Sequence, residues 1–157
     1  MTGGTGQAAG VPDARLDYNG HSARHLPPGP LQITLMNAHR VSWTYYGDQF
    51  NLYLTDRYDT NPVDEYRNIC NWAQYSTSIM SSAAERKAHL ADTADFCTAI
   101  ANASLPAVSY VKPSGLVDGN PASLKIVPFE GFVKNIVDAA KADPKLWNNT
   151  AIFITLV

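Results

Sequence analysis

The chain has 157 residues, 45% of them apolar and 17% charged, with 12 basic residues against 14 acidic ones and a formal charge of −2. This length predicts one domain or part of a larger one, and an apolar fraction ordinary for a globular protein excludes wholesale disorder. A near-neutral balance without a Lys/Arg cluster excludes a dedicated nucleic-acid binder, and no apolar run approaches the roughly 20 residues of a membrane-spanning helix, so no transmembrane segment is expected.

Residues 1–29 are rich in Gly, Ala and Pro and read as a flexible or irregular N-terminal segment. Met1–Pro12 has neither a basic region nor an apolar core, so it does not read as a signal peptide, and the chain as written is expected to stay in the cytoplasm. His21 and His25 stand four apart, a metal-binding spacing on a helix, but Asn19-Gly20 and Pro27-Pro28 oppose a helix and solvated loop histidines are expected. Gly4-x-Gly6-x-x-Ala9 imitates a dinucleotide loop, but no strand precedes it.

Order is expected from Pro30, which suits the first position of a helix that groups Leu31, Leu35, Met36 and His39 on one side. Val41–Tyr46, β-branched and aromatic and closed by Gly47-Asp48, predicts a strand running into a turn. Residues 48–80 carry Tyr53, Tyr58, Tyr66, Trp72 and Tyr75 without a sustained period, which predicts a long excursion with short helical turns whose aromatics pack onto the body. Asp92 or Thr93 caps a helix reaching Asn102, with Phe96, Cys97 and Ile100 inward. Leu105–Val111 is the next strand, ended by Lys112-Pro113. Pro128 then opens a helix whose Phe129, Phe132, Val133, Ile136, Val137 and Ala140 form an apolar stripe able to cover a sheet, and Pro144 stops it. Ala151–Val157 does not alternate and reads as a strand buried on both faces. Strand, helix and strand make a βαβ unit with a parallel pair, hence an α/β fold.

In open parallel sheets, ligands sit beyond the carboxyl ends of the strands. The loop after Val111 supplies Lys112, Ser114, Asp118 and Asn120 there, whereas the sequence stops at Val157 before a loop follows the last strand. No GxSxG elbow, HExxH pair or phosphate loop occurs elsewhere. His39 and His89 read as surface or core groups, and Asp64-Glu65 and Asp92/Asp95 as solvated or capping carboxylates. Cys70 and Cys97 have neutral neighbours and no CxxC partner, so inert thiols are expected.

Five segments in order carry a resemblance: Val41-Ser-Trp-Thr-Tyr-Tyr-Gly47, Gln74-Tyr-Ser-Thr-Ser-Ile79, Leu105-Pro-Ala-Val-Ser-Tyr-Val-Lys-Pro113, Asp118-Gly-Asn-Pro121 and Trp147-Asn-Asn-Thr-Ala-Ile-Phe-Ile-Thr155. From about residue 30 onward the chain resembles the bacterial phosphoesterase family, which holds acid phosphatases and phospholipases C and lies within the alkaline-phosphatase-like superfamily. The resemblance implies hydrolysis of phosphoric esters, a three-layer α/β fold with a mostly parallel sheet, and residues 30–157 as a partial phosphoesterase domain. For complete relatives it implies export to the periplasm or beyond and a divalent metal beside a hydroxyl nucleophile. The family's metal-binding and nucleophile segments are not matched here, and its acidic pair after the Phe-Ile-Thr strand is replaced by Leu156-Val157. Its Asp-Gly-His-Pro motif reads Asp118-Gly119-Asn120-Pro121, which puts Asn120 at the position of a catalytic histidine and leaves Lys112 and Asp118 as the substrate-binding candidates. Asparagine can hydrogen-bond a phosphate oxygen but cannot act as an acid near neutral pH.

The expectation is therefore a phosphoesterase-family hydrolase of phosphoric esters, incomplete and catalytically weak or inactive, whose partners would be a phosphate-ester substrate and a companion fragment. The alternative is a non-catalytic α/β binding or interaction module.

Overall fold

A computed structural model defines the protein over residues 31–55, 66, 70–119 and 126–155. The segment 1–29 with its two histidines lies outside these residues, as do Asp64, Glu65, Asn120, Leu156 and Val157.

Three short strands make a parallel sheet in the order β2-β1-β3. The central strand β1 (Trp43–Gly47) pairs with β3 (Val108–Lys112), setting Trp43 opposite Val108 and Gly47 opposite Lys112, and with β2 (Leu90–Asp92), setting Gly47 opposite Asp92. Successive side chains alternate between faces, so Trp43, Tyr45, Leu90 and Tyr110 serve one layer while Tyr46, Ala91 and Val111 serve the other.

The first layer holds α1 (Leu31–Ala38), α2 (Phe50–Thr55), a 3-10 turn (Trp72–Tyr75), α3 (Thr77–Met80) and α4 (Ala83–His89). Its core joins Ile33, Trp43, Tyr45, Phe50, Tyr53, Tyr66, Ile79, Met80 and Leu90. Trp43 stacks on Trp72 at 5.3 Å and on His89 at 3.9 Å. Its indole N–H donates to Asn37 Oδ1 at 2.9 Å, and the Nδ1 of His89 donates to the Trp43 carbonyl at 2.8 Å. Gly47 sits where the Tyr66 ring packs, since a Cβ there would meet Tyr66 Cε2 at 2.3 Å. Among the described residues of 48–80, the short helices and the packing of Tyr53, Tyr66 and Trp72 are as the composition predicts, whereas Tyr58 lies outside the described residues.

The second layer holds α5 (Thr93–Ala101), α6 (Ile126–Ala142) and α7 (Pro144–Asn148). Tyr46, Phe96 and Ile100 form its core, with Ile136, Ala139 and Leu146 packed against them. The architecture is the expected α/β class, a parallel sheet with helices on both faces.

Several local expectations are corrected. In α1 it is Ile33 that is buried, whereas Leu35 is 48% exposed and His39 lies exposed beyond the helix end. Cys97 of α5 is exposed, because Phe96 and Ile100 one turn apart already fill the face toward Tyr46. β3 begins three residues later than the apolar run, since Pro106 lacks an N–H for the ladder, the Ala107 N–H goes to the Ser42 hydroxyl, and Val108 is the first to donate to a backbone carbonyl on β1's flank, that of Ser42. α6 begins at Ile126, before Pro128; proline is tolerated there because the first-turn N–H groups have no intrahelical acceptor. Its stripe is only half-buried apart from Ala140, resting on the Phe96 cluster rather than covering the sheet.

The largest correction concerns the last run. Ala151–Thr155 forms no strand and is exposed, Phe153 at 89%. The βαβ unit is thus β3 and α6 without a second strand among the described residues. Apolarity registers a tendency to be buried, but a strand also needs a neighbouring ladder, and this segment makes none with β3.

Candidate active site at the carboxyl edge of the sheet

The three strands end side by side at Gly47, Asp92 and Lys112. The first polar side chains beyond these ends converge. Asp48 Oδ1 accepts from the Thr93 hydroxyl at 3.0 Å, and Asp48 Oδ2 accepts from the Ser114 backbone N–H at 3.2 Å. The Asp48 N–H donates to the Lys112 carbonyl at 2.9 Å. One carboxylate therefore ties the end of β1 to the start of α5 and to the loop after β3. Ser114 is 1% exposed, and its neighbours Pro113 and Gly115 are also buried, so this loop is packed down at its root.

Asp92 works next to it. Its Oδ1 accepts from Ala94 N–H at 3.0 Å, Asp95 Oδ2 accepts from the Asp92 N–H at 3.0 Å, and the two form a capping box on α5. Its Oδ2 accepts from the Asn51 N–H of α2 at 2.8 Å. The Thr93 hydroxyl also lies 3.4 Å from Asp92 Oδ1. Asp92 thus caps one helix and anchors a second, on opposite faces of the sheet.

Lys112 and Asp118 do come together. The Lys112 ammonium lies 3.6 Å from Asp118 Oδ2 and 3.4 Å from the Pro113 carbonyl, and the Asp118 side chain is almost wholly buried. The two residues bridge the loop after β3 and neutralise one another. Gly119 follows with φ +71°, and a Cβ there would press on Phe129 at 3.1 Å, so only glycine passes this turn under α6. Asn120 comes next and lies outside the described residues.

Chemically, the edge offers one hydroxyl donating to a carboxylate, the arrangement a base uses to activate an alcohol. Both oxygens of Asp48 and both of Asp92 already hold donors from this chain. Among the described residues no three His, Cys, Asp or Glu side chains gather in a metal-binding group.

The sequence reading reached Ser114 but took Asp48 only as a turn residue and Asp92 and Thr93 only as caps. The signal available was position, since each of Asp48, Thr93 and Ser114 stands within two residues of a strand's carboxyl end.

A parallel sheet between helical layers, with polar groups gathered beyond its carboxyl ends, defines an α/β protein of the type that receives ligands at that edge. The family model described as Phosphoesterase family matches residues 5–156, and the chain belongs to that family. Membership implies hydrolysis of phosphoric esters. No curated protein matches the chain. No helix among the described residues is long and apolar enough to cross a membrane.

Proposed function

We propose that this chain is a phosphoric-ester hydrolase by descent, of acid phosphatase or phospholipase C type on a three-layer alkaline-phosphatase-like scaffold, and that its own turnover is weak or absent. The observation that supports the second half is that Asp48 and Asp92 hold α2, α5 and the loop after β3 together, each of their oxygens accepting a hydrogen bond from within the chain. Turning either carboxylate toward a substrate or a cation would compete with the hydrogen bonds that hold these elements at the sheet edge. Asn120, at the family's histidine position, offers no proton near neutral pH. Lys112 is the cation best placed to meet a phosphate oxygen, by exchanging Asp118 for the substrate.

The test is hydrolysis of p-nitrophenyl phosphate and of a phosphatidylcholine emulsion by purified protein, with and without added divalent metal. The expected rate stays at background for both. Turnover that scales with folded protein and falls with Lys112→Gln would overturn the inactive reading while supporting the phosphoester one.

A further inference from the structure

β3 is the open side of the sheet. The order β2-β1-β3 leaves no strand beside it among the described residues. Every residue of β3 is only half-buried, whereas β1 is buried at all positions but Thr44. The Val108 N–H donates to the Ser42 carbonyl, and the Lys112 carbonyl accepts from the Asp48 N–H, so alternate residues of β3 turn their backbone groups to β1. Ser109 and Val111 therefore turn theirs outward, as a template for a further strand. Such edges are commonly blunted by proline, charge or a bulge. Here the only charge is Lys112, at the strand's end.

The same chain carries a segment with the complementary lack. Ala151–Thr155 has the composition of a strand and no ladder, and its Ile152, Phe153 and Ile154 side chains are exposed. In a strand, Phe153 would serve one face and Ile152 and Ile154 the other. That pattern fits a position with a helical layer on each side. The outer edge of β3 is such a position. On one face Tyr110 meets Trp72, with ring centroids 4.8 Å apart, and on the other Val111 joins the Phe96 cluster together with Ile136 of α6.

Within its own chain the segment does not lie on this edge. Its root is fastened to α7: the Thr150 hydroxyl donates to the Leu146 carbonyl at 2.7 Å, and the Asn149 N–H donates to the same carbonyl at 3.1 Å. Leu146 is in turn packed against Tyr46, Phe96 and Ile100. A second copy can present the segment with this turn intact. Because one polypeptide carries both the unpaired edge and the unpaired segment, two copies can satisfy each other reciprocally, in a closed two-fold arrangement.

We propose that this chain forms a dimer by strand exchange, with Ala151–Thr155 of each copy pairing with the outer edge of β3 in the other. The association uses backbone hydrogen bonds and apolar side chains and needs no substrate, so it stands apart from the phosphoester reading.

The test is sedimentation velocity of the whole chain over a wide range of concentration, with a monomer–dimer equilibrium and no larger species expected. Phe153→Asp changes a side chain that is 89% exposed and touches no core, so the monomer's circular dichroism should stay unchanged. It is expected to weaken the dimer about tenfold or more. In an equimolar mixture of isotope-labelled and unlabelled chain, filtered nuclear Overhauser contacts should join 151–155 of one copy to 108–112 of the other. Amide exchange at Ser109, Val111 and 151–155, fast in the dilute monomer, should slow together as the dimer forms. A monomer at every concentration would overturn the proposal, as would a dimer that Phe153→Asp leaves unchanged. Contacts between 151–155 and β3 only within a single copy would overturn it in favour of self-closure. Growth into open-ended oligomers would overturn the closed exchange. The filtered contacts decide the matter alone if Phe153→Asp fails to fold.

Discussion

Asp48 shows how much one short side chain can organise. Its two oxygens hold a hydroxyl from α5 and a backbone N–H from the loop after β3. Asp48→Asn would keep one acceptor and turn an NH₂ toward the other donor. We expect it to lower unfolding free energy by about 1–3 kcal/mol, read as a shift of the urea midpoint at unchanged slope. Gly47→Ala acts by volume, because its new methyl would lie 2.3 Å from the Tyr66 ring. A loss of about 1–3 kcal/mol is expected from the resulting strain. Tyr45 and Tyr66 give the molecule an alkaline limit. Burial pushes both phenols above their ordinary value of 10.0, Tyr66 well above it. A raised folded-state pKa means the unfolded chain ionises first, so this stability is fully present below pH ~10 and is lost as pH rises past that point. Tyrosinate absorbance should therefore rise for the exposed tyrosines first and for these two only together with loss of the near-ultraviolet circular dichroism signal. Separate, gradual ionisation of all tyrosines in a folded protein would contradict the burial.

At the scale of elements, α5 and the last apolar run make an instructive pair. The start of α5 was legible because its cap is local: Asp92 and Asp95 satisfy each other's neighbourhood within four residues. Asp92→Ala removes this cap and the tether to α2 together, and we expect a loss of about 1–2 kcal/mol and a lower Tm, with Asp92→Asn recovering part of it. β2 was not legible, because three residues wedged directly between α4 and α5 show no period of their own. Only the ladder to β1 makes them a strand. Ala151–Thr155 failed in the opposite sense: its composition suits a buried strand, yet it has no ladder. Amide exchange should separate the two, with slow exchange at Tyr45 and Tyr46 and exchange near the unstructured rate across 151–155. At the candidate site, the residues of the loop after β3 could be picked out from sequence by the strand that precedes them. The partner that holds the loop, Asp48, stands 66 residues away from Ser114 and could not.

On the scale of the whole molecule, family membership meets an internally bonded sheet edge. The chain belongs to the Phosphoesterase family across residues 5–156, while the described edge of its sheet is occupied by internal hydrogen bonds. The order β2-β1-β3 has a further consequence for biosynthesis. The middle strand is made first, and its two flanks arrive only with residues 90–92 and 108–112. Until then Trp43, Tyr45 and Tyr46 have no lateral partner, and every sheet contact spans a long stretch of chain. Such distant pairings form slowly and leave aromatic surface open to other molecules in the interval. A nascent polypeptide stalled before residue 108 should stay protease-sensitive around Trp43 and engage chaperones, whereas one that has exposed Lys112 should become resistant there.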